Sequence, residues 1–251
     1  MQYLWKRKYA KDNNMINHFP FDHIVIDDFF PLEKARKLSE EFPDYNDPSW
    51  FFYNSPLEKK KSNNNWYNFP PETYKTFSFL NSHEFVKSLC EKTEIEKLYP
   101  DIGLHGGGWH IHSRGGKLNV HLDYSIHPKT GLQRKLNLIV YLTEGWKPEW
   151  GGGLEFWSHN YETKLPLKKE KTIDNVFNRA ILFDTTQNSW HGLPQPIECP
   201  EGVYRKSMAI YYMTDPPENV DQRKRALYAP TREQENNKEI LDLIQQRIIW
   251  K

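Results

Sequence analysis

Apolar positions along the chain change their spacing near Pro100. Before it, short apolar runs alternate with polar text. HIVID (23–27) has the length and composition of a strand, and Pro31 opens PLEKARKLSEEF, where Leu32, Ala35 and Leu38 fall on one helical stripe. Ser82 is placed to cap a second helix carrying Phe85 and Leu89, with Ile95 and Leu98 beyond. Between Pro43 and Pro71 the text reads as loop, NDPSW and then LEKKKSNNNW. A loop that long in a compact domain is a lid or a solvated spacer, and LEKKKS reads first as a solvated charge run.

After Pro100 glycines cluster (Gly103, Gly106 to Gly108, Gly115, Gly116) and β-rich runs follow closely. They are WHIH (109–112), KLNVHLD (117–123), KLNLIVYLT (135–143), GLEFW (153–157), RAILFD (179–184) and RKSMAIYYM (205–213). Short strands with turns between them predict a mainly β body with flanking helices, a sandwich or barrel. The glycines at 151–153 lack the spacing of a phosphate loop and predict a tight turn or bulge. Near the end, Ile240, Leu241, Ile244 and Ile248 recur at helical spacing and predict a helix docked on the body. The change at residue 100 is one of layer. The expected organisation is a single domain over 1–251: a polar tail (1–20), helical and strand support (21–100), a β core (101–215) and a C-terminal extension (216–251).

Composition adds exclusions. Mean hydropathy is −0.83, yet aromatic residues reach 15% with nine tryptophans, which disordered chains lack. Lys plus Arg number 34 against 33 Asp plus Glu, a net charge of +1. That balance gives no footprint for nucleic acid or an anionic membrane. Cys90 and Cys199 cannot build a framework of several disulfides. MQYLWKRKYAKDNN lacks the apolar centre of an export signal, and no apolar run approaches the roughly 20 residues of a membrane span. A cytoplasmic protein is expected; its oligomeric state is open.

Candidate chemistry starts at NVHLDYSIHP (119–128). On a strand, His121 and Asp123 point to one face. Two groups hold a metal loosely, and His191, in a region otherwise without histidine, supplies a third. Two histidines and one carboxylate are the ligand set of non-haem Fe(II) oxygenases. Zinc in a hydrolytic site takes such a set too, and a non-catalytic β-barrel module would carry it by chance. Arg205 and Ser207 share a strand face, and a guanidinium fork with a hydroxyl suits the far end of a dicarboxylate. A hydrolytic zinc site has no use for that clamp.

Together, His121-x-Asp123, His191 and Arg205-x-Ser207 resemble the Fe(II)/2-oxoglutarate-dependent dioxygenase superfamily, in its prolyl-4-hydroxylase-like branch, over about residues 105–215. HSRGGKLNVHLD resembles that branch's run into His-x-Asp, with His112 where tyrosine is frequent. RKLNLIVYLTEGW followed by GGGLEFW resembles its strand, turn and Gly-Gly-x-Leu sequence. The resemblance implies a double-stranded β-helix core of the jelly-roll, cupin-like kind, with Fe(II) on His121, Asp123 and His191. It implies 2-oxoglutarate anchored by Arg205 and Ser207, with contacts from Tyr141 and His112. The insert LPQPIECPEGVY lengthens the interval to Arg205 and makes Lys206 the alternative anchor. Also implied are dioxygen, ascorbate as reductant, and hydroxylation of an unactivated C–H in a peptide or small-molecule substrate, coupled to decarboxylation of 2-oxoglutarate to succinate. The carboxylate of Asp123 favours hydroxylation over halogenation. His105, His110 and His127 are expected at turns or the pocket rim, and Trp109, Trp150, Trp157 and Trp190 in packing.

Overall fold

The computed structural model describes residues 16–249. Residues 1–15 of the expected polar tail and the side chain of Ile248 lie outside the described residues. The first part of the chain forms β1 (His23–Ile26), α1 (Leu32–Glu40), β2 (Phe51–Asn54), β3 (Glu58–Asn63), α2 (Pro71–Leu80), α3 (His83–Thr93) and β4 (Tyr99–Pro100). The eight core strands follow: β5 (Gly108–His112), β6 (Lys117–Leu122), β7 (Gln133–Tyr141), β8 (Leu154–His159), β9 (Pro166–Ile173), β10 (Ala180–Asp184), β11 (Trp190–Leu193) and β12 (Arg205–Thr214). β13 (Leu227–Tyr228) and α4 (Lys238–Ile249) close the chain.

One wall of the core runs β1-β10-β7-β12-β5 and the other β6-β11-β8-β9, with β3 pairing to both β5 and β6. Every pairing is antiparallel. This curled sheet is the expected jelly roll. The outer face of the first wall presents Leu136, Leu138, Val140, Leu182, Met208 and Ile210 to Ala35, Leu38, Phe77, Leu80, Phe85 and Leu89 of the helices. Burial of those apolar side chains is the main force joining helices to sheet. Between the walls, Phe21, Tyr141, Phe156, Ile181 and Phe183 form a second cluster.

Several expectations are corrected. Residues 43–71 are no open loop, because β2 and β3 form a hairpin whose second strand joins the sheet. The charge run LEKKKS supplies most of that strand. Its lysine stems lie over rings, Lys61 Nζ 3.9 Å from the Tyr45 centroid and Lys60 Nζ 5.2 Å from that of Tyr53, so an aromatic surface replaces part of the solvent. Helix α2 was not foreseen. Its first free N–H groups donate to Glu41, from Glu72 N at 3.1 Å and Thr73 N at 2.6 Å, a cap supplied from 31 residues upstream. Strand β9 was also missed, and Leu32, placed on the buried stripe of α1, is exposed. On α4, Ile240, Leu243 and Ile244 pack on Leu57 and Tyr228, with Leu243 where Leu241 was expected. Ser82 caps α3 as predicted, its Oγ accepting from Phe85 N at 3.2 Å.

Candidate metal centre

β6 and β11 are neighbours in a register that sets His121 directly opposite His191. Asp123 follows the last residue of β6. The Nε2 atoms of His121 and His191 lie 3.7 and 3.8 Å from the two carboxylate oxygens of Asp123, and the imidazole centroids are 4.3 Å apart. All three side chains are buried, and one ligand atom from each lies within 4.8 Å of the others. The pairing requires glycine at 192. A Cβ there would meet Leu118 O at 2.8 Å and Asn119 O at 2.9 Å. Gly192→Ala is expected to cost about 1–3 kcal/mol of stability and to weaken metal binding about tenfold or more. Calorimetric titration with metal checks this, and unchanged affinity would detach the register from the cluster.

The donors are prepared for a cation. Each Nδ1–H donates to a main-chain carbonyl, His121 to Asn119 O at 2.9 Å and His191 to Ser189 O at 2.8 Å, which leaves each Nε2 lone pair free. Burial, and then the neighbouring His121, push His191 down to about 4. Burial alone would raise the carboxyl of Asp123, but the guanidinium of Arg134 and the two imidazoles hold it well below the usual carboxylate range. Arg134 Nη1 lies 3.2 Å from Asp123 Oδ1, and Asn137 Nδ2 donates to Oδ2 at 3.3 Å. Two neutral imidazoles and one ionised carboxylate fit a small divalent cation.

Arg134 was missed in the sequence for a structural reason. By strand alternation it shares the helix-facing side with Leu136 and Leu138. A register shift opposite Tyr212 and Met213 re-aims it into the interior. There it lies between Tyr124 and Tyr211, 3.3 Å from each centroid.

Arg205 is buried on β12 opposite His112, and Ser207 stands opposite His110 and Tyr141. Its guanidinium lies 4.7 Å above the Tyr141 ring, and its Nε donates to Gly152 O at 2.7 Å. Gly151 and Gly152 both have positive φ, so the predicted tight turn is present and presents a carbonyl to the arginine. Lys206 turns to the other face, where Nζ donates to Ser39 O at 2.9 Å. Both ring nitrogens of His112 and the hydroxyl of Tyr141 are buried without a hydrogen-bond partner. Unpaired buried polar atoms around a desolvated guanidinium fit a polar co-substrate that supplies the missing bonds.

A cavity of about 320 Å³ joins these groups. His112, His121, Asp123, His191, Arg205 and Ser207 all line it, whereas Tyr141 lies beneath Arg205 and is fully enclosed. His105 and His110 line it as well; His127 is buried beside Asp101, its Nε2 3.7 Å from Oδ1. The four tryptophans named above do not line it, and Trp109 and Trp190 are fully buried. The C-terminal extension, expected only to dock a helix on the body, contributes Arg225, Ala226, Tyr228 and Arg247. Arg223 fastens it, with Nη1 donating to Asp123 O at 2.7 Å and to Arg225 O at 2.9 Å.

Burial, then His127 and Arg134, also bring His105 down to about 4. An unfolded chain protonates histidine near 6.5, so between about 4 and 6.5 the unfolded state holds the protons at His105 and His191. Stability of the metal-free protein is then full above about pH 6.5 and is lost as pH falls through about 4. Urea midpoints are expected to be lower at about pH 5 than at about pH 7.5. Equal midpoints would mean that these imidazoles are solvated.

Two histidines and a carboxylate, here brought together by neighbouring strands of a jelly roll, are the ligand set of non-haem Fe(II) oxygenases. Residues 107–213 match the family model of the 2OG-Fe(II) oxygenase superfamily. The matched residues span the strands that carry the cluster, and the protein reads as an oxygenase using iron, 2-oxoglutarate and dioxygen. Among solved structures it is similar to a prolyl-4-hydroxylase of Pseudomonas putida, at 13% identity over 76% of this chain and 91% of that one, with a TM-score of 0.55. A prolyl hydroxylase of Trichoplax adhaerens, bound to a hypoxia-inducible-factor peptide, aligns at 16% identity over 85% and 93%, TM-score 0.57. A prolyl 4-hydroxylase of Phytophthora capsici aligns at 20% identity over 90% and 68%, TM-score 0.53. These likenesses show the fold. No curated protein matches the chain. Among the described residues, no helix is long and apolar enough to cross a membrane.

Proposed function

We propose that His121, Asp123 and His191 hold Fe(II), that Arg205 and Ser207 receive the far carboxylate of 2-oxoglutarate, and that the enzyme hydroxylates a C–H bond of a substrate entering the same cavity. The observation that carries the reading is the convergence of both groups, from opposite walls, on one cavity. Bound Fe(II) supplies the site for dioxygen chemistry, in which one oxygen atom goes to the substrate and the other to succinate as carbon dioxide leaves.

The protein's own groups do the positioning. Asn119 O and Ser189 O fix the imidazole tautomers. Arg134 and Asn137 keep Asp123 ionised and oriented. Gly152 O and the Tyr141 ring set the direction of Arg205, whose planar fork reads a carboxylate bidentately. His112 lies against that anchor with two unsatisfied nitrogens and offers one N–H donor and one acceptor in its neutral form. Burial lowers its pKa well below the ordinary value, which keeps the ring neutral.

The test is succinate formation by the purified protein with Fe(II), 2-oxoglutarate and ascorbate under air. Iron- and oxygen-dependent succinate is expected, rising when a substrate is present. The fold relatives are prolyl hydroxylases, so proline-rich peptides form one substrate arm, read as a product heavier by one oxygen atom. Oxygen-independent turnover with zinc, and no binding of 2-oxoglutarate, would replace this reading by a hydrolase.

A further inference from the structure

The cavity is strongly positive in a chain that is almost neutral. Five permanent cations line it, Lys60, Arg134, Arg205, Arg225 and Arg247, against two carboxylates, Glu58 and Asp123. The whole chain carries a net charge of only +1. On the function proposed above, on which this inference rests, a divalent metal and a dianionic co-substrate cancel each other, so the lining keeps five cations against two carboxylates, a surplus of three. Arg205 meets the co-substrate and Arg134 faces Asp123. Lys60, Arg225 and Arg247 are left with Glu58 alone.

Glu58 does not absorb them. It lies 3.8 Å from Lys60 Nζ and 3.5 Å from Arg247 Nη2, two distances at the long end of ion pairing. Arg225 has no acidic partner among the described residues, and the Nε of Arg247 is buried without a hydrogen bond. The side chains of Lys60 and Arg247 are only 14% and 28% exposed, so water screens their charge poorly. They also sit close to the metal centre. The guanidinium of Arg247 lies 4.9 Å over the ring of Tyr228, and that ring stands 5.3 Å from the imidazole of His121. Arg225 precedes β13, whose Tyr228 is in register with His121.

We propose that the prime substrate is a small anion whose carboxylate or phosphate is received by Lys60, Arg225 and Arg247 beside the metal centre. Guanidinium forks and an ammonium group match either anion. A neutral or cationic substrate would leave the poorly solvated charges of Lys60 and Arg247 with no partner but Glu58. The size follows from the cavity, whose 320 Å³ is at the small end of the roughly 300–1,000 Å³ of ligand sites and must also hold the co-substrate. None of the three cations belongs to the eight core strands: Lys60 is on β3, and both arginines come from the C-terminal extension. The selecting charges thus lie outside the strands that carry the metal cluster.

The experiment uses the full chain loaded with Mn(II), in protein excess, with saturating 2-oxoglutarate. Inorganic phosphate, acetate and tetramethylammonium are titrated in turn, and their paramagnetic relaxation is measured. Saturable enhancement is expected for at least one anion and none for tetramethylammonium, with affinity falling about tenfold or more in Arg225→Glu and in Lys60→Met. Arg225 is exposed, so its replacement leaves folding intact. Enhancement by acetate alone assigns a carboxylate substrate, and by phosphate alone a phosphate ester. If the protein binds Mn(II) and 2-oxoglutarate but enhances neither anion, or enhances them equally in wild type and both variants, the inference is overturned. Failure to bind Mn(II) or 2-oxoglutarate overturns the oxygenase site itself, and this inference with it.

Discussion

Asp123→Ala abolishes iron-dependent succinate formation and, in the same step, lowers the stability of the metal-free protein; both losses are the expected result. In the proposed centre the carboxylate of Asp123 is the negative ligand beside the two imidazoles. Without it the metal has two protein donors and Asp123's charge no longer offsets the cation. The stability loss has a separate origin. Arg134 is buried, stacked between Tyr124 and Tyr211, with Nη2 donating to His105 O at 2.8 Å and Nη1 facing Asp123. Removing the carboxylate strands a guanidinium in the interior, which costs about 3–5 kcal/mol. Replacing Arg134 by methionine in the Asp123→Ala background is expected to recover part of that stability and none of the activity. Urea unfolding and a succinate assay on both variants separate the two roles. Stability unchanged by Asp123→Ala would show that the ion pair is not formed in solution.

Arg205→Met is expected to raise the apparent KM for 2-oxoglutarate by about 30-fold or more, the effect of truncating one partner of a buried charge pair. Burial pushes the Arg205 guanidinium below its ordinary value, a sign that an anionic partner is missing from its surroundings. Gly152 O satisfies Nε, and the planar fork stands at the cavity wall. Arg205→Lys should restore charge without bidentate geometry and recover affinity only in part. Binding of 2-oxoglutarate by calorimetry without oxygen measures this directly. Full affinity in Arg205→Met would move the anchor elsewhere in the cavity, and Lys206 could not take it, since its ammonium faces Ser39 across the sheet.

The sequence was most legible where function and strand geometry share a period of two. His121 with Asp123, and Arg205 with Ser207, are pairs two apart, and alternation alone puts each pair on one face. His191 was legible because it stands alone in its region. The six β runs read from the core all became strands, since their apolar and β-branched residues fit a buried pleated surface. Less legible were positions whose environment comes from far along the chain. Glu41 caps a helix that starts 30 residues later. Lys59, Lys60 and Lys61 read as solvated until Tyr45, Tyr53 and two core strands are folded around them. Arg134 depends on one register shift that no local pattern announces. Arg225 reaches the cavity because β13 pairs with β6, and Arg247 because α4 docks on Leu57 and Tyr228.

Both imidazoles at the centre take their orientation from main-chain oxygens two residues earlier in the chain. A point mutation can change the side chain at 119 or 189, but it cannot delete a peptide carbonyl. The tautomer of each histidine is therefore inherited with the strand, out of reach of ordinary amino-acid replacement. Sequence drift can rewrite nearly everything around such a centre while the two lone pairs stay aimed.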